Sequence, residues 1–419
     1  MSEYSIPYGK SELSFHIPDE RKVDCIAPLE APAAADPRRA VVQALETPLG
    51  ASRVQDFKGV MSAAIAVNDK TRPVPHQLLL PPLLERLEML GLEPASIQLL
   101  IATGTHQPMQ PEEFEQILPA EILARYPVFS HNARDEANLV HLGQTPHGTP
   151  VWINRRYIEA DLRITIGNIE PHQFEGFSGG VKSAAIGLAG DATINHNHAL
   201  MIDPMSQLGV FEENPARQDV EEIGKRIGVH FCLNAILNTH KEIVHALAGD
   251  PYLVLQHGIP LARRFCQVAV DAPYDFMVVA PGGHPKDINL YQSQKALYHA
   301  NQVMRTGGTV ILAAACPDGT GSPSYEEWVI GMKSYTEVFE RFKREGFRIG
   351  PHKAFQIARD ASKVHLLFLS QMSPDFTRSL LIDPVSDLQQ AVNLVLSQLP
   401  LEARIAIMPR ATSTIPYLK

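Results

Sequence analysis

Four short segments gather side chains that could move protons or hold a charged ligand. They are Asn68-Asp69-Lys70-Thr71-Arg72, Thr103-Gly104-Thr105-His106, His172 through Lys182 (HQFEGFSGGVK), and Leu290-Tyr291-Gln292-Ser293-Gln294-Lys295. Histidine has the pKa to accept a proton near neutral pH and to return it. Inverting a stereocentre needs a proton acceptor on each face, and His106 with His172 would meet that need. The competing reading is that one of them only anchors its loop. If 290–297 is helical, Gln292 and Lys295 stand three residues apart on one face. With Arg72 they could clamp a carboxylate, Arg as a bidentate fork and Lys as a point charge. The bland alternative is a solvated helix face.

The Ser178-Gly179-Gly180 turn precedes an apparent helix and could present backbone N–H groups to a phosphate. It is not a P-loop, because Walker A places Gly directly before its Lys and Val181 stands there. A glycine-rich turn by itself more often reflects backbone geometry. His196 and His198 follow closely. At i, i+2 they point to different sides, so both cannot serve one metal, and neither fits the H-E-x-x-H pattern. A single imidazole ligand requires donors from elsewhere.

These residues follow short apolar runs at 63–67, 97–104, 162–167, 276–283, 309–315, 364–370 and 404–409. Such near-continuous runs predict strands buried on both faces of a parallel sheet. Helical spacing over 75–92 and amphipathic spacing over 334–347 lie between them. The alternation predicts an α/β fold with mostly parallel, Rossmann-like sheets. In open α/β sheets ligands bind beyond the carboxyl ends of the strands, and four such ends carry Asn68–Arg72, Thr103–His106, Asn168–His172 and His284–Asp287. The punctuation of 125–160 predicts a small antiparallel insert. A second strand–helix series begins near Tyr274, so the expected domains are 1–270 and 271–419, with the active site in the cleft between them. The final twenty or so residues could pack back on the first domain.

The 419 residues carry a formal charge of −9 and a sequence pI near 6.0, which argues against nucleic acid or an anionic membrane as partner. No apolar run approaches the roughly 18 residues of a membrane span, and no basic-then-apolar leader is visible. Cys25, Cys232, Cys266 and Cys316 lie far apart, without a C-x-x-C pair. The expected location is the cytoplasm.

Taken together, ATGTH (102–106), DKTR (69–72), the His172-to-Lys182 spacing, His198 and YQSQK (291–295) resemble the lactate racemase family, in order and spacing, over roughly 65–300. The resemblance implies a nickel-pincer nucleotide: a pyridinium-3-thioamide-5-thiocarboxylate mononucleotide that holds Ni(II) through a carbon and two sulfurs. One arm would be joined to Lys182, and His198 rather than His196 would complete the nickel coordination. His106 and His172 match the paired acid/bases. Arg72, Gln292 and Lys295 match substrate-binding positions, and Asp69 and Tyr291 match pocket positions. The implied activity is racemisation or epimerisation of a small 2-hydroxy acid, by hydride transfer through a 2-keto acid. The enzymes that make the cofactor are the implied partners. The Ala/Gly-rich stretch after Val181 could admit substrates larger than lactate. An NAD-dependent 2-hydroxy acid dehydrogenase is the alternative, but it needs a G-x-G-x-x-G fingerprint that is missing. A non-catalytic nickel- or nucleotide-binding protein would have no use for twin histidines.

Overall fold

The computed structural model describes all 419 residues. They form two compact units: Glu30–Phe265, and the two chain ends Met1–Leu29 with Cys266–Lys419. No helix is long and apolar enough to cross a membrane.

In the unit Glu30–Phe265 the apolar runs become central strands. Ala63–Asn68 is buried throughout, and Ile97–Ala102 and Leu162–Asn168 nearly so. A strand covered on both faces has no polar side to alternate with, which is why the runs are unbroken. Across the sheet the order is Ile243–Gly249, Phe231–Leu237, Leu162–Asn168, Ala63–Asn68, Ile97–Ala102, Val128–Ser130. All neighbours are parallel except the first pair. Leu79, Leu83 and Leu87 of the helix His76–Met89 share one buried cluster with Ile65, Val67, Leu99, Ile101 and Ile164. Each such side chain contributes about 1.5–3 kcal/mol on burial, so the frame is held by its apolar interior and the strand ends are left to carry polar groups.

The stretch 125–160 does contain an antiparallel pair, Leu139–Gln144 with Pro150–Asn154. Two pieces depart from that expectation. Val128–Ser130 joins the main sheet as a parallel edge strand. Arg155–Glu159 is helical, with the Asn154 side chain accepting from Arg156 N–H as its cap.

The second unit holds a six-stranded, wholly parallel sheet in the order Asp383–Val385, His365–Leu369, Met304–Ala313, Tyr274–Val279, Ile405–Met408, Val23–Cys25. The amphipathic segment forms the helix Tyr335–Glu345, capped by Ser334 and ended by Gly346 at φ 76°. This division departs from the expected boundaries. The first 29 residues belong here: Val23–Cys25 pairs with Ile405–Met408, and Ile6, Phe15 and Ile17 share a buried cluster with Phe276, Val278 and Ile407. The chain end also stays here, Ile415–Leu418 pairing with Gln267–Val270. A three-residue strand whose partner is at the far end of the chain leaves no periodicity to read.

One small element matters for the site. Pro171–His172 pairs antiparallel with Gly176–Phe177, which folds Gln173-Phe174-Glu175 into a tight turn. Gly176 sits at φ +74°, and a Cβ there would lie 1.7 Å from the Val210 carbonyl oxygen. Gly176→Ala should therefore cost about 2–4 kcal/mol of unfolding free energy through left-handed strain and displaced backbone. Gly91→Ala, at φ +99° with nothing within 4 Å, should cost only about 1–2 kcal/mol. Equal losses in denaturant melts would show that the Val210 contact is not a constraint.

Candidate functional site

The three central strands of the first unit end side by side, Asn68 pairing with Ala102 and Ala66 with Thr165. Asp69 leaves the first strand, the Thr103–His106 turn leaves the second, and the hairpin bearing His172 follows the third.

Asp69 is buried, 2% exposed. Its Oδ2 lies 2.6 Å from His106 Nδ1, and its Oδ1 accepts from the Thr71 N–H and hydroxyl at 3.1 and 2.7 Å. A carboxylate at Nδ1 places the imidazole proton there and leaves Nε2 as the bare, proton-accepting nitrogen. Burial pushes the Asp69 carboxyl up, but the His106 bond, the His106 charge and the Arg72 charge hold it below the usual range. The Arg72 guanidinium makes no ion pair of its own, which suits it to an incoming anion.

Lys182 is buried beside fully buried Glu175, and the Lys182 Nζ and Glu175 Oε2 are in ionic contact. Desolvation brings the lysine down to about 8; Glu175 opposes that shift, and Arg72 and Arg217 reinforce it. For Glu175, burial raises the carboxyl, while Lys182, His198 and Arg217 bring it below its ordinary value. The contact acts first through charge, and Glu175 Oε1 has no aligned hydrogen bond. Glu175 also reaches the first histidine of its hairpin. Its backbone N–H donates to His172 Nδ1 at 3.2 Å, and its Oε2 lies 3.8 Å from the same nitrogen. An accepting Nδ1 puts the His172 proton on Nε2, the reverse of His106.

His198 follows in the helix Asp191–Ala199. The rings of His172 and His198 both stand edge-on to Phe174, with centroids 4.9 and 5.0 Å away. Asn197 Nδ2 donates to Ala216 O and Asp219 Oδ2, so its oxygen faces His198 Nδ1 at 3.1 Å. That fixes the His198 proton on Nδ1 and leaves Nε2 as a metal-type donor. His196 turns away to Thr149, at 2.8 Å, whose hydroxyl donates to Asp219. The two histidines of INHNH thus part as expected. No group of three or more His, Cys, Asp or Glu side chains is placed to hold a metal by itself.

The structure corrects the reading of Ser178-Gly179-Gly180 as a phosphate cradle. Ser178 N–H already donates to Glu170 O, and Gly180 N–H to Asn234 Oδ1. Arg217, fully buried and paired with Glu221, donates to the carbonyls of Phe177 and Gly179. Gly179 and Gly180 have φ +98° and +62°, and a Cβ on either would strike Asn234 or Leu255. Two of the turn's three N–H groups and the Gly179 carbonyl are thus engaged within the fold, and the turn leads directly into Lys182.

Tyr291, Gln292 and Lys295 lie in the second unit on the helix Leu290–Ala300, capped by Asn289. Lys295 Nζ donates to Gln292 Oε1 at 2.6 Å, so the two share a helix face. The Tyr291 ring lies under Lys353 Nζ at 4.3 Å. Sequence reasoning missed Glu175, Phe174, Asn197 and Arg217. Only Glu175 carried a signal, an acid three residues after His172 and seven before Lys182.

The chain matches the lactate racemase N-terminal domain over residues 8–209 and the lactate racemase C-terminal domain over 270–415. It is 30% identical to a lactate racemase of Thermoanaerobacterium thermosaccharolyticum, over 99% of each chain. Against a lactate racemase of Lactiplantibacillus plantarum the figure is 28%, over 99% of this chain and 100% of the relative. The structure of the Thermoanaerobacterium lactate racemase apoprotein superposes with a TM-score of 0.91 at 29% identity, covering 99% of this chain and 100% of that one. A Thermotoga maritima protein shares the fold, with a TM-score of 0.71 at 19% identity over 93% of this chain and 100% of that one.

Because Asp69 has a lowered folded pKa, its charge stabilises the fold above its unfolded pKa of about 3.9 and loses that effect as pH falls toward the folded value. Asp69→Asn should cost about 2 kcal/mol at pH 7, and the gap to the parent should close in denaturant melts below about pH 4. A gap that persists unchanged to pH 3 would mean the carboxylate charge is not what is lost.

Proposed function

The chain belongs to the lactate racemase family, whose named members are isomerases, and on that premise we propose that it inverts C2 of a small 2-hydroxy acid by hydride transfer through a 2-keto acid. The observation that supports this best is the Asp69–His106 pair. It supplies a base with its proton-accepting nitrogen fixed, and a carboxylate ready to stabilise the imidazolium formed.

The residues fit the cofactor. His198 offers one imidazole nitrogen in the donor tautomer, which suits a metal whose other donors come with its own ligand. Lys182 is an amine softened to about 8, beside buried polar atoms with no aligned hydrogen bond. Lys182 would hold the nucleotide arm and His198 the nickel. When bound, the nucleotide supplies the reversible hydride acceptor.

The chain's own part is positioning and proton transfer. Arg72 would engage the substrate carboxylate; for Tyr291, Gln292 and Lys295 a substrate-binding role rests on the family resemblance alone. The C2–H is a poor acid, because the adjacent carboxylate resists more negative charge. Loss of hydride becomes feasible when the hydroxyl proton leaves with it, and His106 Nε2 takes that proton. After the planar keto acid turns over, His172 returns a proton to the oxygen on the opposite side. The pair ends with its protonation reversed, ready for the mirror-image substrate. Enzymes that build the nucleotide would be required partners.

Co-expression with those enzymes should give one covalent adduct and one nickel per chain by mass spectrometry, with the adduct absent in Lys182→Ala. Holoenzyme should racemise or epimerise at least one small 2-hydroxy acid, retaining deuterium placed at C2. His106→Ala should keep the adduct and lose about 10²–10⁴ in turnover. Washout of the deuterium to solvent would point to a carbanion route and end the hydride reading.

A further inference from the structure

Glu175 touches two of the groups just assigned and has no role in the scheme above. It is fully buried, in ionic contact with Lys182, and 3.8 Å from His172 Nδ1 through Oε2. His106 has Asp69 to hold its proton on Nδ1 and to stabilise it as imidazolium. At His172 the facing carboxylate, Glu175, is shared with Lys182, and Nδ1 accepts from a backbone N–H, so the proton sits on Nε2. A neutral imidazole in that state can neither take a proton at Nε2 nor readily give one up. A two-base racemase needs both histidines to pass between bare Nε2 and imidazolium.

Tethering resolves the conflict. The Lys182 ammonium and a thiocarboxylate arm condense, forming a C–N bond; two of the nitrogen's protons leave with the arm's oxygen as water, and the sulfur stays. The cation becomes an uncharged nitrogen, and a buried carboxylate without its partner is costly. The other groups that act on Glu175 are engaged: Arg217 holds Glu221 and the carbonyls of Phe177 and Gly179, and His198 Nδ1 faces Asn197.

We propose that Glu175 is a positioning residue handed from Lys182 to His172 when the lysine is tethered, switching His172 to the Nδ1–H form that Asp69 imposes on His106. The inference rests on the tether reading above, but part of its test needs no cofactor. Lys182→Met removes the cation and keeps the bulk. In ¹⁵N-histidine-labelled, unloaded protein at pH 8, the His172 signals, identified by their loss in His172→Gln, should report Nε2–H in the parent. In Lys182→Met the ratio of Nδ1–H to Nε2–H should rise by about tenfold or more. Lys182→Met combined with Glu175→Gln should return it to the parent value, an outcome a purely structural carboxylate would not give. Loaded parent protein, checked by mass, should match Lys182→Met, which keeps the question decidable if that variant fails to fold. An unchanged His172 tautomer in folded Lys182→Met or in loaded protein overturns the inference. Absence of any adduct on the parent sinks the tether reading, while the unloaded arm still tests the carboxylate's preference.

Discussion

The site depends on buried charges that can exist only in each other's company. A lone carboxylate or ammonium in an apolar interior costs several kcal/mol, whereas opposite charges about 4 Å apart recover about 4 kcal/mol even at an effective dielectric of 20. The sequence of groups is His106, Asp69, Arg72, Lys182, Glu175, His172, each within electrostatic reach of the next. Asp69 and Glu175 are both held ionised against burial by cationic neighbours. Any chemistry that changes the charge of one member must be felt by those beside it.

A parallel sheet is what lets such a row form. Its adjacent strands end at one edge, so residues from positions 69, 106 and 172 reach neighbouring loops although about a hundred residues separate the outer two. Local geometry does the rest. The Gly179-Gly180 turn, clamped by Arg217 and Asn234, sets the start of the Lys182 helix. The Pro171–Phe177 hairpin, with Gly176 against Val210, keeps Glu175 on the same small element as His172. Phe174 stacks edge-on against both His172 and His198, so the turn that delivers the acid also fixes the two imidazoles.

Much of this was legible before any coordinates. Unbroken apolar runs declare strands covered on both faces, and polar residues after such runs declare the functional edge. His198 could be preferred to His196 only through family resemblance; the structure shows where the two rings go, His198 to the Asn197 amide oxygen and His196 to Thr149. What was not legible depends on contacts remote in sequence or on where backbone groups are spent. Val23–Cys25 is too short to show a period, so the passage of the N-terminus into the second unit was invisible. Ser178–Gly180 reads like an anion cradle until its N–H groups are seen to be engaged by Glu170 and Asn234. Glu175 was passed over between His172 and Lys182, since nothing local says that its turn is buried.

Lys182 shows why burial and pairing must be balanced rather than maximised. On the proposed tether it would have to attack as a free amine; to lie beside Glu175 without cost it must be a cation. At pH 7.4 a lysine with an ordinary pKa is neutral in about one molecule in a thousand. Desolvation against the Glu175 charge brings Lys182 down to about 8, so far more of it is neutral near that pH. A stronger pair would hold the ammonium and block attack, while desolvation alone would leave Glu175 as an unpaired buried carboxylate. The fold places the lysine between these limits, where a small change in its neighbours' charge decides which form prevails.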